Sequence, residues 1–516
     1  MRAMRSVRRF AAGLVAALVA LVAASTAEAH VGSPDAVQDG QAGPYHLLVT
    51  IRPPDVVPGI ARIDVRTFDD DVAGVSVVPL PMRGPGVDSP PVADRARPSA
   101  ADPQLFESAL WLMRTGAWQV RVTVDGGRGA GVLSIPVPAL ARSVRPMPTV
   151  LKGMLLALLA LLVIGLVTIV GASLREADLV SGALPDRRRL LRGRVGMVVA
   201  AGVLALAIVG GRGWWTGEAR VYRRLIYKPM NVAVTQASPA TLTLALTDPG
   251  WMRWREVDDL VPDHGHLMHL FLVRAPDLDA IAHLHPKLVD TARFDQATPP
   301  LPAGTYRLFG DIVHRTGLDE TVTTTLDLAG TPPPSAVPSL PPDLSDRLSD
   351  PDDAVALISH AATIEAPAFP FADGRGRLRW VAPRAPQAGE TVSLEFEAEG
   401  PDGRPAAGIE AYMGMAGHAM IVARDFSVFA HIHPTGSVPM AALAMVAGAA
   451  PPIDDAHAHA HAHHAMTFAP RVRFPCVFPH AGDYRLFVQI KEDGRIETAA
   501  FDLPVAVGAP LSPRRP

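Results

Sequence analysis

The chain has 516 residues, of which 48% are hydrophobic and 19% charged, and its formal net charge is −3. This length exceeds one ordinary domain, and the near-neutral net charge gives no electrostatic case for nucleic-acid binding. The single cysteine excludes an intrachain disulfide framework and a cysteine-cluster zinc site. Histidine is the unusual component, because 16 of the 18 histidines follow residue 260.

Residues 1–29 have the pattern of a secretory signal peptide. Arginines within residues 2–9 precede an apolar core, and Ala27-Glu28-Ala29 fits the small-x-small cleavage site. Cleavage there would make His30 the mature N-terminus, whose α-amine and imidazole can chelate a metal together as a histidine brace. An uncleaved signal anchor is one alternative, and a histidine left there by chance is the other.

Residues 30–148, which we call module one, are predicted to form an export-side β-sandwich of the immunoglobulin-like kind. Six or seven short runs rich in β-branched residues lie between proline and glycine turns over ~110 residues. The other histidine of this module, His46, is the candidate partner of His30 in a brace. A packed or solvated strand histidine is the alternative.

Two apolar stretches follow, at residues 153–174 and 195–211. The first has 22 residues without a charge, enough to span a bilayer core of ~30 Å. The intervening residues 175–194 include a cluster of five arginines at 187–194, and the positive-inside rule places this basic loop in the cytoplasm. The sequence therefore predicts two transmembrane helices in the cytoplasmic (inner) membrane, with nearly all of the chain on the extracytoplasmic side.

Two further β-rich segments form an internal repeat. Module two covers residues 230–330 and module three residues 376–510, with a proline-rich linker at 331–350 between them. Both modules contain an Ala-His-x-His-Pro tag, at 282–286 and at 430–434, and a matching later strand. The predicted fold is mainly β, with three immunoglobulin-like β-sandwich modules plus two transmembrane helices.

The tags are candidate metal-ligand motifs. Alternate residues of a strand point to the same face, so each tag presents two imidazoles side by side. Another histidine lies 14 residues before the first histidine of the tag in module two, and 13 residues before it in module three. The predicted ligands are His269, His283 and His285 in module two, and His418, His431 and His433 in module three.

A histidine-for-methionine exchange lies beside these sites. His264-Gly-His266 of module two aligns with Met413-Gly-Met415 of module three. Imidazole together with thioether favours copper, with thioether preferring Cu(I). These four residues are therefore candidate copper ligands. Zinc and nickel are the alternative metals, and core packing is the alternative role for the methionines.

Three other features bear on metal binding. Five histidines between residues 457 and 464 form a tract suited to loose capture of metal, with chance low complexity as the alternative. His314 is a further candidate ligand. Cys476 is expected to be a buried free thiol, although a thiolate is also a good copper ligand.

On these residues the chain resembles bacterial periplasmic copper-handling proteins with immunoglobulin-like β-sandwich domains. His30 after the signal is similar to the N-terminal histidine of CopC-like carriers, although module one lacks their methionine-rich loop and later histidine. Modules two and three resemble small exported YtkA-like domains. The resemblance implies an anchored protein that captures, buffers or delivers copper, with a copper transporter or cuproenzyme as partner.

Two other functions are open at this point. One is a copper monooxygenase that uses the His30 brace. The other is a structural or interaction protein in which the tag is a packed turn and its histidines bond the backbone. No Ser-His-Asp order, phosphate loop or carboxylate pair indicates other catalysis, so the chain is not expected to be an enzyme.

The signal prediction has a direct test. N-terminal sequencing of the mature protein, purified from its membrane, is expected to begin at His30. A different first residue would remove the histidine brace, because the brace needs the α-amine on that histidine.

Overall fold

A computed structural model of the chain describes residues 30–31, 35–180, 182–238, 240–253, 255–330, 348–372, 374–448 and 466–508. The predicted signal peptide, residues 331–347 of the linker and the histidine tract lie outside these residues. The chain divides into two compact units. The described residues of Met1–Pro54, Pro58–Ala139 and Pro229–Pro516 form a β unit, and Asp55–Val57 with Leu140–Lys228 form a helical unit.

Module one consists of short strands whose residues alternate between buried and less buried positions, as expected for sheets with one packed face. Its described strands are β1 (His30–Val31), β2 (Ala36–Ala42), β3 (Tyr45–Arg52), β4 (Gly59–Thr67), β5 (Val72–Pro81), β6 (Asp94–Arg95), β7 (Arg97–Pro98), β8 (Leu105–Leu112), β9 (Gly116–Gly126) and β10 (Gly129–Ala139). They form one sheet of order β2-β3-β4-β8-β7 and a second of order β10-β9-β5-β6. β1 instead pairs with a strand of module three.

The helical unit contains α1 (Thr149–Glu176) and α2 (Arg187–Leu225), both long and apolar enough to cross a membrane. Each includes one predicted span. The basic cluster, however, is not part of a loop, because it forms the first turns of α2. Asp186 caps this helix by accepting a hydrogen bond from the Arg189 amide, and arginine has a high helix propensity. The helix therefore begins before the apolar stretch.

The two helices pack closely at glycines. A Cβ atom placed on Gly193 would lie 2.9 Å from the carbonyl oxygen of Gly171 on the other helix. Small residues that let two backbones approach are typical of paired membrane helices.

Module two forms two antiparallel sheets. Its described strands are β11 (Asn231–Ser238), β12 (Thr241–Thr247), β13 (Leu260–Val261), β14 (His269–Arg274), β15 (Ala280–Leu284), β16 (Lys287–Asp290), β17 (Arg293–Ala297), β18 (Gly304–His314) and β19 (Asp319–Leu328), joined by β20 (Ala354–Leu357) after the linker. The smaller sheet has the order β11-β12-β17-β16. The larger has the order β13-β18-β14-β15-β20, with β19 paired to β18.

Module three repeats this arrangement. Its described elements are β21 (Ala368–Pro370), β22 (Arg377–Val381), β23 (Thr391–Glu399), β24 (Ile409–Glu410), β25 (His418–Ala423), β26 (Val428–Ile432), α3 (Met440–Val446), β27 (Thr467–Phe468), β28 (Arg471–Val477), β29 (Gly482–Glu492) and β30 (Arg495–Val505). The smaller sheet has the order β21-β22-β23-β28. The larger has the order β1-β26-β25-β29-β24-β27, with β30 paired to β29.

The strand order and the register of the two larger sheets correspond. β18, β14 and β15 take the places of β29, β25 and β26. His269 lies opposite Asp311 on the neighbouring strand, and His418 lies opposite Gln489. The repeat seen in the sequence is therefore present in the strand pairing as well.

The strands that carry the histidines are buried on both faces. Every residue of β15 and of β25 is buried. In β14, Leu270 and Leu272 pack in the core of module two, whereas Phe271 and Val273 pack in a core shared with module three. Because alternate residues point to opposite faces, the two larger sheets pack face to face.

Stacked aromatic rings lie in this interface. The ring centroids of Phe309 and Phe429 are 4.1 Å apart at an interplanar angle of 5°, and Phe271 lies 5.3 Å from Phe429. His269 precedes Phe271 by two residues and therefore lies on the same face of β14. The interface packing thus determines the position of the histidines.

Removing one ring tests the importance of this packing. Phe429→Ala is expected to lower the free energy of unfolding by about 3–5 kcal/mol, because it leaves a cavity between the sheets. Denaturant unfolding of the purified protein, followed by tryptophan fluorescence, measures the loss. Val132→Ala, at a side chain that is 53% exposed, is the control and is expected to change stability by less than about 0.5 kcal/mol. Equal stability of both variants would contradict the packing.

Candidate metal centre

Eight histidines of modules two and three lie together between the larger sheets, where we call them the histidine cluster. Neighbouring rings have centroid separations from 3.9 Å, for His266 and His285, to about 6 Å. The members are His264, His266, His269, His283, His285, His418, His431 and His433. All eight are among the ligands predicted from the sequence, but the structure joins them in one cluster rather than in two separate sites.

Three groups within the cluster have ligand atoms within 4.8 Å of one another. Triad A is His269, His283 and His285; triad B is His264, His418 and His433; a mixed group is His266, His285 and Asp350. Triad A is the site predicted for module two. Triad B differs from the prediction, because His264 of module two takes the place expected for His431.

The contribution of His264 follows from a tight turn. Asp263 and His266 exchange two backbone hydrogen bonds of 2.8 and 2.9 Å, and His264 between them has a φ of 52°. Gly265 also has a positive φ, of 87°, and two successive residues of this kind make a type I′ turn. The turn from Tyr412 to Met415 has the same bonds and backbone angles, so the histidine-for-methionine exchange occurs at structurally equivalent positions.

The hydrogen bonds of triad A determine which ring nitrogens carry protons. His269 donates a hydrogen bond from Nε2 to the carbonyl oxygen of Asp263 at 3.1 Å, so its Nδ1 is unprotonated and carries a lone pair. His283 Nδ1 lies 2.8 Å from Gln489 Oε1, which can only accept a hydrogen bond. His283 therefore carries its proton on Nδ1 and its lone pair on Nε2. The two lone pairs, His269 Nδ1 and His283 Nε2, face each other at 3.2 Å.

Tyr412 independently supports this assignment. Its hydroxyl donates its one proton to the carbonyl oxygen of Asp352 at 2.8 Å. It can therefore only accept from His283 Nδ1, which lies 3.3 Å away. Two partners on module three thus require the same tautomer of a histidine on module two.

Module three repeats the arrangement. His418 donates from Nε2 to the carbonyl oxygen of Tyr412 at 3.3 Å, and His431 Nδ1 lies 3.4 Å from the Asp311 carboxylate. The remaining nitrogens, His418 Nδ1 and His431 Nε2, face each other at 3.1 Å. His264 donates from Nδ1 to the carbonyl oxygen of Met413 at 3.0 Å, which directs its Nε2 lone pair towards triad B.

Facing lone pairs at this distance suit a shared metal ion. Two imidazole nitrogens bound to one ion at roughly 2.0–2.1 Å lie about 3.3 Å apart in tetrahedral geometry. The observed separations of 3.2 and 3.1 Å are close to this value. A hydrogen bond between the rings would instead need a proton on one of the facing nitrogens, which the other partners do not favour.

Burial keeps the imidazoles neutral. Desolvation lowers the pKa of His283 to about 3 and lowers the pKa of His269 and His418 well below the ordinary value, with neighbouring histidines adding to the effect. The same cause lowers the pKa of His285, His431 and His433. Neutral imidazole is the form that binds metals.

Among the tag histidines, two have buried ring nitrogens without a hydrogen-bond partner in the described residues. These are His285 Nε2 and both ring nitrogens of His433, all buried. The other nitrogen of His285 lies 3.1 Å from Asp353, a carboxylate–histidine pair of the kind that orients metal ligands. Buried polar atoms in native proteins nearly always have a partner, so a ligand is expected at His285 Nε2 and at one nitrogen of His433, whose other nitrogen carries the proton.

The remaining predicted ligands lie elsewhere or at the edge of the cluster. His266 is half-buried, stacks on His285 and lies 3.7 Å from the carboxylates of Asp350 and Asp352. Met413 and Met415 are half-buried in their turn, and thioether ligation stays a prediction.

His30 and His46 lie on strands of different sheets. The backbone of His30 pairs with Val428 of β26, and its side chain lies outside the described residues. His46 hydrogen-bonds Asp39 and stacks on Phe68 within module one.

His314 and Cys476 are not part of the cluster. Both ring nitrogens of His314 hydrogen-bond carboxylates, one of Asp259 and one of Glu320, so the suggestion that it is a ligand was wrong. Cys476 is a buried free thiol, and burial raises its pKa, so the thiolate form of a copper ligand is disfavoured.

Several residues that surround the cluster were not found from the sequence. They are Asp311, Asp350, Asp352, Asp353, Tyr412 and Gln489. Asp350, Asp352 and Asp353 form a short acidic run at the end of the linker, and this run was the one feature of the sequence that could have indicated them. The others act across the interface between modules, and no spacing along the chain indicates such a contact.

The profile of a family described as Domain of unknown function (DUF8832) matches residues 228–330 and 373–507. Modules two and three, which carry the cluster, are thus similar to this domain. Comparison with curated protein sequences gives no match.

Comparison with solved structures gives distant matches, two of which are as follows. Salmonella alpha-2-macroglobulin reacted with methylamine is 9% identical over 90% of this chain and 24% of that protein, with a TM-score of 0.19. Latent PorU from Porphyromonas gingivalis is 8% identical over 92% of this chain and 34% of that protein, with a TM-score of 0.13. The chain spans about a quarter and a third of these proteins, and neither likeness bears on fold or function.

The His314 network predicts a pH-dependent stability. Burial lowers the pKa of His314, but hydrogen bonds to Asp259 and Glu320 outweigh it and raise the pKa to about 9. The unfolded pKa is roughly 6.5, so this stabilisation is fully present below that pH and is lost as the pH rises through about 9.

Denaturant unfolding at pH 6 and pH 10 tests this prediction. The stability difference between the wild type and His314→Gln is expected to shrink by on the order of 3 kcal/mol between these values. His360→Gln, at an exposed histidine, is the control and should retain the wild-type pH dependence. A stability difference between the wild type and His314→Gln that does not change with pH would show that His314 is neutral in the folded protein.

Proposed function

We propose that this chain is a membrane-anchored, extracytoplasmic metal-binding protein that captures, buffers or delivers copper. The observation that carries the proposal is the pair of facing imidazole lone pairs, 3.2 and 3.1 Å apart, in a buried interface. The outer hydrogen bonds leave the His269–His283 pair without a proton between its facing nitrogens. In the second pair, the Asp311 carboxylate beside His431 Nδ1 and the hydrogen bond of His418 Nε2 favour the same arrangement. A metal ion satisfies both nitrogens at once.

The ligand set supports copper over other metals. Imidazole binds copper, zinc and nickel, whereas the half-buried thioethers of Met413 and Met415 add donors that suit Cu(I). The lack of a cysteine cluster and the surrounding neutral imidazoles are compatible with both oxidation states of copper. Zinc and nickel are the competitors that a binding experiment has to include.

The location on the export side is part of the proposal. It is supported by the signal pattern of residues 1–29, by the two apolar helices and by the arginines at the start of α2. With these arginines in the cytoplasm, the β modules would lie outside the membrane. A copper transporter or cuproenzyme in the same membrane is then the natural partner.

The two alternative functions have less support. A purely structural tag would let its imidazoles point apart, but the rings of His283 and His285 are 4.7 Å apart and those of His431 and His433 are 4.6 Å apart. A monooxygenase brace would need a second imidazole beside His30, and His46 is hydrogen-bonded to Asp39 within module one.

Copper binding can be tested on the full-length protein in detergent. The five histidines of the 457–464 tract are first replaced by alanine, because this tract would bind metal on its own. Copper retained after desalting, measured by mass spectrometry, is expected to fall at least tenfold when His283, His285, His431 and His433 are replaced by glutamine. Equimolar zinc or nickel in the same solution should not displace the copper.

A variant with His360→Gln is the matched control, because that histidine is exposed and lies outside the cluster. Circular dichroism and the melting temperature of each variant establish that it is folded. No copper above background in the tract-free parent protein would refute the proposal. Copper retention that is independent of the four histidines would refute the cluster as its site.

A further inference from the structure

We propose that the histidine cluster is one dinuclear centre, which holds two copper ions and is built jointly by modules two and three. The inference rests on the proposed function, because it concerns the same histidines. It goes further by assigning the number of ions, their proximity and their dependence on both modules.

The first argument is that the two triads interleave. Triad B takes His418 and His433 from module three but His264 from module two. The neighbouring residue of the same turn, His266, stacks on His285 of triad A at 3.9 Å. One His-Gly-His turn therefore contributes to both halves of the cluster, and module three alone lacks a complete triad.

The second argument is the distance between the halves. Ring centroids of His264 and His269 are 6.0 Å apart, and those of His283 and His418 are 6.2 Å apart, although each pair belongs to different triads. His431 lies between the halves, 5.3 Å from His269 and 5.3 Å from His418. With metal–nitrogen bonds of roughly 2 Å, two ions in the triads would be on the order of 6 Å apart.

The third argument is that each half has its own pair of facing lone pairs. His269 and His283 form the first pair and His418 and His431 the second, at 3.2 and 3.1 Å. One ion cannot bind both pairs together with His285 Nε2 and the one free lone pair of His433. Two ions can, with three or four imidazoles for each.

Each half of the cluster also has its own carboxylate. Asp353 lies 3.1 Å from His285 Nδ1, and Asp311 lies 3.4 Å from His431 Nδ1. A carboxylate beside the outer nitrogen of an imidazole orients the ring towards a bound metal. This arrangement, present once in each half, is what two ion sites require.

The test uses the full-length protein lacking the histidine tract, in detergent under argon, with Cu(I) supplied as its acetonitrile complex. After desalting, two copper ions per chain are expected by mass spectrometry. Oxidation with two equivalents of ferricyanide should then give an electron paramagnetic resonance spectrum of a coupled pair, with a half-field transition.

His264→Asn is the diagnostic variant. Asparagine tolerates the positive φ of this turn, so the fold is retained while one ligand of triad B is removed. Copper is expected to fall from two ions to one, and the spectrum to become that of an isolated Cu(II) ion. His285→Gln, which removes a ligand of triad A, is expected to lower the copper content to one ion in the same way. His360→Gln is expected to leave two coupled ions.

The outcomes separate this inference from the proposed function. No copper in the parent protein would refute both. One ion in the parent, or two ions without magnetic coupling, would overturn the dinuclear centre and leave copper binding intact. Two coupled ions that persist in folded His264→Asn and His285→Gln would also overturn it, because the centre would then not depend on the two triads.

Discussion

The packing of two β-sheets against each other is the constraint on which the candidate site depends. Phe309, Phe429 and their neighbours exclude water from the space between modules two and three. The imidazoles next to them lose their solvation for the same reason. Since a charged histidine is costly in that environment, the rings stay neutral and their lone pairs stay available. Hydrophobic packing and metal-binding capacity are thus two consequences of one interface.

Such an arrangement is unfavourable unless something occupies it. Buried acceptor atoms without a donor cost roughly 1–3 kcal/mol each, and lone pairs that face each other add repulsion. The outer hydrogen bonds to Asp263, Gln489 and Tyr412 fix the rings in this geometry even so. The fold therefore stabilises a set of ligands that are mutually unfavourable when empty. Preorganisation of this kind favours metal binding, because the rings need little rearrangement when the ion enters.

The sequence allowed a good part of this to be predicted. The Ala-His-x-His-Pro repeats identified four histidines of the cluster, since period-2 alternation places both rings of a tag on one face. The spacing and alignment of the two modules identified the other four. The mainly β architecture and the two apolar helices followed from composition and pattern. What could not be predicted was the contact between repeats: the transfer of His264 to triad B, and the support of His431 by Asp311, depend on how two folded modules dock. The start of α2 was misjudged because the helix was placed on the apolar stretch alone, although arginine is a good helix former.

The unequal turns of the two modules now have a structural reason. Both turns are equivalent in the repeat, and the backbone carbonyl of Met413 accepts the hydrogen bond that orients His264. If both turns carried two histidines, the interface would have to bury ten imidazoles. The His264-Gly-His266 turn of module two already supplies imidazoles to both halves of the cluster. The equivalent turn of module three can therefore carry other donors. The methionines Met413 and Met415 are half-buried there, at the rim of the cluster, and thioethers at the rim would favour Cu(I) as it enters or leaves. In the proposed copper site, the histidines would hold the ion and the methionines at the rim would assist its exchange.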